Sequence, residues 1–134
     1  MAIPVLHQLE RLDISLKVIE VDKTEADRVI CKDGKELGIK VIFYVRINMT
    51  EMDVKQVAQS IGCDRTFNQK EVEQLFYPKF AEAIKTVAYH FTSEELFSKR
   101  DAFREEILNT IGMDLNGYVL DDAAIDYVEK IKMS

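Results

Sequence analysis

The chain has 134 residues, 47% of them apolar and 31% charged, and its net charge is −6. That is room for one domain of ordinary globular composition, large enough to bury a core without disulfides or a structural metal. Lysines and arginines are scattered and form no basic stripe, which argues against nucleic acid and against simple electrostatic docking on anionic lipid.

In chain order, the first half has strand character. Ile14, Leu16 and Val18 alternate with polar residues, and Ile19 and Val21 then take the opposite phase, which predicts a bulge or two short strands. Val29, Ile30 and Cys31 read as a short second strand, and Asp33–Gly34 is a hairpin-turn signal. Leu37, Ile39, Val41, Phe43, Val45 and Ile47 follow in strict alternation, so one face of this strand is core. The opposite face is mixed: Glu36, Gly38, Lys40, Ile42, Tyr44, Arg46 and Asn48.

The second half has helix character. Thr50 with Asp53 resembles a capping box, ahead of a stripe of Val54, Val57, Ala58 and Ile61 that Gly62 stops. Asn68 with Glu71 opens a long amphipathic helix carrying Val72, Leu75, Phe76, Phe80, Ala83, Ile84, Val87 and Phe91. Pro78 lies inside it, where the missing N–H is expected to kink or break it. Thr92 with Glu95 is a third capping box, before a short helix with Leu96 and Phe97. A further helix is predicted from near Asp101, carrying Phe103, Ile107, Leu108 and Ile111, weakened by Gly112 and capped by Gly117. Tyr118, Leu120, Ala123, Ile125 and Tyr127 read as a closing strand. The fold class is α+β, with helices covering one face of an antiparallel sheet.

Candidate chemistry is sparse. His7 lies in the N-terminal stretch and His90 on a helix between Tyr89 and Phe91, with no fixed catalytic partner, so both read as structural. Cys31 and Cys63 each stand apart from any Cys or His partner, which disfavours a zinc site or a catalytic thiol; a single disulfide between them stays open, as does acylation. Asp114, Asp121, Asp122, Asp126 and Glu129 lack the register of a calcium loop and read as a solvated acidic face. No phosphate-binding glycine loop, nucleophile elbow or HExxH occurs. Arg100 and Asp101 sit between Phe97 and Phe103, a position expected to hold their head groups near the core in a junction salt bridge and helix cap. No apolar run approaches the ~18–20 residues that span a bilayer, and no signal peptide is visible. Both ends look cut.

These features in this order resemble the SPFH (Band 7) domain shared by stomatins, prohibitins and flotillins, and most of all its flotillin-like bacterial type. The residues that carry the resemblance are Lys32, Asp33 and Gly34, the strand at 39–48, Glu95, Leu96, Arg100, Asp101 and Phe103, then Asp114, Leu115, Tyr118 and Ile125. The glycine at 117 comes one residue earlier than in the usual flotillin spacing. The resemblance implies a single domain over 1–134, a fragment lacking an N-terminal membrane anchor and a C-terminal coiled coil. It implies a non-catalytic scaffold on the cytoplasmic side of a membrane, without cofactor or metal, which forms homo-oligomers and organises microdomains with other membrane proteins. Asp33, Gly34, Arg100, Asp101, Asp114 and Gly117 would be its structural motif positions. A regulatory adaptor of a membrane protease and a small ligand-binding domain are the competing readings.

Overall fold

The structure, a computed structural model, describes residues 12–25, 28–112 and 115–130. Among the described residues four strands form one antiparallel sheet: β1 (Lys17–Lys23), β2 (Val29–Ile30), β3 (Glu36–Ile47) and β4 (Tyr118–Lys130). Between β3 and β4 the chain forms α1 (Glu51–Ser60), a 3-10 turn (Asp64–Phe67), α2 (Gln69–Ala88), α3 (Ser93–Ser98) and α4 (Arg100–Ile111).

β3 is the axis of the sheet because it is long and its inner residues are all apolar. It pairs with β1 and β2 along one side and with β4 along the other. Leu37, Ile39, Val41, Phe43, Val45 and Ile47 are all buried, as the alternation predicts. The described helices lie against this face: α2 crosses β1 and β2, while α4 packs on α2 and β4. Phe80 of α2 meets Phe43 with ring centroids 4.4 Å apart, and Phe76 meets the edge of Tyr118 at 5.1 Å. Phe91 and Phe103 join the end of α2 to α4 at 5.6 Å.

Three expectations about individual elements need correction. The phase change before Ile19 is not a bulge: β1 runs in unbroken register from Lys17 to Lys23 against β3. Ile14 and Leu16 precede the strand and are exposed, and Val18 lies on its outer face. The bulges are on β4 instead. Lys40 pairs with Tyr127 and Val41 with Ile125, then Tyr44 with Asp122 and Val45 with Leu120, so Asp126 and Asp121 are the extra residues. Each bulge shifts the phase by one, which keeps Tyr118, Ala123 and Val128 all buried on one face.

Second, α2 is not broken at Pro78 and runs as one 20-residue helix. Pro78 sits on its exposed side, as does Gln74, whose carbonyl the missing N–H would otherwise bond. Third, Gly112 does not weaken α4 from within. It ends it, with φ of +78° and its N–H donated to the Leu108 carbonyl at 3.0 Å.

All three capping signals hold. Thr50, Asn68 and Thr92 accept from the amides of Asp53, Glu71 and Glu95, and Thr92–Glu95 closes the reciprocal box.

Candidate functional site

Three of the motif positions, Asp33, Gly34 and Gly117, fall at two joints on opposite ends of β3. At its start, the Cys31–Gly34 turn is closed by Gly34 N–H donating to the Cys31 carbonyl at 2.9 Å, with Gly34 at φ +81°. The Asp33 carboxylate reaches out of this turn to the start of α3. It accepts from the Ser93 hydroxyl at 2.9 Å and the Ser93 amide at 3.2 Å, and from the Lys35 amide at 3.3 Å. Lys32 N–H donates to the Phe91 carbonyl at 2.7 Å beside it. Burial pushes the Asp33 pKa up, but the Ser93 and Lys35 hydrogen bonds outweigh it and hold the carboxyl below its usual range. Ser93 is buried, so the hairpin and the α2–α3 corner form one polar clamp.

At the other end, Gly117 does not cap α4. It lies in the turn into β4 at φ +99°, buried, and its carbonyl accepts from Asn48 N–H at 2.9 Å. A Cβ at 117 would lie 2.5 Å from the Asp53 carbonyl oxygen and 2.5 Å from Val57 Cγ2, so β4 enters against the backbone of α1 at a distance only glycine permits.

Arg100 and Asp101 behave differently from expectation. Both are exposed and form no ion pair among the described residues; Phe103 is buried but Phe97 is partly open. They occupy the first turn of α4, where Asp101 is placed favourably for the helix dipole. Asp114 lies outside the described residues, as does His7.

The structure also supplies partners that spacing concealed. His90 Nδ1 lies 2.9 Å from Glu106 Oε2 of α4, across 16 residues of sequence, and both side chains are exposed. The acidic face at the C-terminus is not simply solvated. Asp121 pairs with Arg46 at 3.2 Å, Asp122 with Arg104, and Asp126 lies 3.8 Å from Lys40, which also holds Glu20 at 2.7 Å. Arg104 Nε further donates to the Ala123 carbonyl at 2.7 Å, tying α4 to β4. Hydrogen bonds, first from the Arg104 side chain, hold the Asp122 carboxyl below its usual range.

Cys31 is buried and free, its thiol pushed up to about 11 by burial and by Asp33, which leaves it unreactive at neutral pH. Cys63 is free and half-buried. Tyr118 is buried and its hydroxyl makes no hydrogen bond among the described residues; burial pushes its pKa up to about 12. Among the described residues no group of three or more His, Cys, Asp and Glu is placed to hold a metal ion, and no helix is long and apolar enough to cross a membrane.

What the geometry defines, therefore, is an α+β packing module in which Asp33 and Gly117 sit where elements meet. A model of the SPFH domain / Band 7 family matches residues 1–132, and the chain belongs to that family. It is 27% identical over 124 residues to the flotillin family inner membrane protein YqiK of Escherichia coli, covering 91% of this chain and 22% of that protein. It is 26% identical over 132 residues to a flotillin family inner membrane protein of Synechocystis, covering 96% of this chain and 19% of that one. The chain thus spans about a fifth of the length of these curated relatives.

Proposed function

We propose that this chain is a non-catalytic domain of a membrane-associated scaffold, which forms homo-oligomers on the cytoplasmic side of a membrane and organises lipids and membrane proteins into microdomains. The observation that carries this reading is the family match along nearly the whole chain, together with relatives described as inner membrane proteins. The domain is proposed to be one part of a longer protein whose anchor supplies membrane attachment and whose coiled coil supplies assembly. Weak contacts repeated around a ring or patch gain avidity without any strong single interface.

The motif positions fit a structural role in such a unit. Asp33, Gly34 and Gly117 are proposed to keep the domain rigid at its two joints, and Arg100, Asp101 and Asp114 to be structural positions of the same family motif. Light scattering and membrane fractionation test the reading. The domain alone should be monomeric, and the protein extended by its natural flanking segments should form large assemblies that fractionate with membranes. A monomeric, unattached extended protein overturns the proposal.

A further inference from the structure

The β2 edge and the second half of α2 enclose two adjoining hollows of about 390 Å³ each. Arg28, Ile30, Glu82 and Lys85 line both; Tyr89 and His90 complete the first, and Lys23 the second. Among the described residues two exposed cations, Arg28 and Lys85, thus border one groove with one carboxylate, and buried Lys23 lies beside them, in a chain whose net charge is −6. They are far apart in sequence, so only the packing of α2 against the β1–β2 edge brings them together.

The individual groups suit an oxyanion. The Arg28 Nε is fixed by the Thr24 carbonyl at 3.2 Å, which orients the guanidinium and leaves its other N–H groups for a bidentate contact. Lys85 and Glu82 form no ion pair with one another or with other described residues, so the ammonium is uncommitted. Thr86 and Tyr89 add hydroxyl donors beside the cations, and exposed Ile30 gives the groove an apolar wall. Several donors around a pocket of this size match a compact ligand with three or four oxygens; small-molecule sites fall at roughly 300–1,000 Å³.

We propose that this groove binds a phosphate-bearing group, a mono- or diester on a small molecule or on a phospholipid headgroup. The inference stands apart from the scaffold reading, since it rests on the groove and needs neither oligomer nor anchor.

The test has two arms on the 134-residue chain. In the first, glycerol 3-phosphate is titrated by amide NMR against glycerol at equal ionic strength. Saturable shifts around Arg28, Lys85 and Tyr89 are expected, and R28E/K85E should weaken them at least tenfold. K55E, which removes a cation of α1 paired to Glu51, should leave them unchanged. Circular dichroism checks that the variants, altered only at exposed positions, remain folded. In the second arm, the chain is sedimented with vesicles of phosphatidylglycerol or of phosphatidylcholine. Sedimentation with the anionic vesicles alone, lost in R28E/K85E, assigns the ligand to a lipid headgroup; binding of glycerol 3-phosphate without sedimentation assigns it to a soluble ester. No saturable shift and no sedimentation, or binding untouched by R28E/K85E, overturns the proposal. Failure of the scaffold reading in the mass measurement leaves both arms intact.

Discussion

The two ends of β3 are joined to the helices by different physics. At the start of the strand the joint is polar: a carboxylate, a hydroxyl and two amides hold the Lys32–Gly34 turn to the α2–α3 corner. At its end the joint is steric: Gly117 lets one backbone lie directly on another. Both joints carry a glycine with positive φ, yet the demands on them differ. A Cβ at position 34 would meet nothing within 4 Å, so Gly34 is needed only for its backbone angle, whereas Gly117 is needed for its angle and for its lack of volume. A polar joint loosens when a partner is removed. A steric joint fails when atoms are added.

Substitutions at these positions separate the two cases. Gly117→Ala should have the largest effect, about 3 kcal/mol or more of lost stability by denaturant unfolding, because the Cβ contact cannot be relieved without moving α1. A loss under about 1 kcal/mol would mean that β4 and α1 separate easily. Asp33→Ala should come next, lowering Tm by roughly 4 °C and speeding amide exchange at Lys32 and Ser93, since the clamp loses its acceptor while the apolar packing stays. Gly34→Ala should cost about 1 kcal/mol, the conformational term alone. If it matched Gly117→Ala, backbone angle would explain both joints. Arg46→Ala should be the smallest change, about 0.5 kcal/mol or less, because its pair with Asp121 is solvent-exposed.

Protonation probes a third polar contact, at the entry to β1. Partial burial pushes the Asp13 pKa up, but bonds from Lys17 and Ser15 prevail and bring it from 3.8 to about 2. Because its folded pKa is depressed, its contribution to stability is full above the ordinary carboxylate range and is lost as pH falls from 3.8 towards 2. Urea unfolding across that range should show falling stability, and Asp13→Asn should flatten part of the slope. An unchanged slope in the variant would place the loss on other carboxylates, such as Asp33 and Asp122, which are also held low.

Legibility followed the range of the interaction. The six inner residues of β3 and the caps at Thr50, Asn68 and Thr92 were readable because alternation and capping are local, within a few residues. The turn at Asp33–Gly34 was readable for the same reason, but its use was not, since Ser93 lies 60 residues away. The acidic run near the C-terminus looked solvated because the cations that pair with it, Lys40, Arg46 and Arg104, come from other elements. The β4 bulges were hidden as well: apolar residues at 118, 120, 123 and 125 show that the phase changes, and only pairing with β3 shows where the extra residues sit.

The sequence by itself determined the α+β class, the core face of β3, the helix starts and the family, because periodicity, capping and motif order are written along the chain. Only the tertiary structure decided that Gly117 packs against α1 and that Gly112 closes α4. It also decided that Arg100 and Asp101 stay in solvent, and that Lys23, Arg28 and Lys85 share one groove. The physical reason is that each of these depends on which surfaces meet across the core, and distances of that kind are set by packing rather than by spacing along the chain.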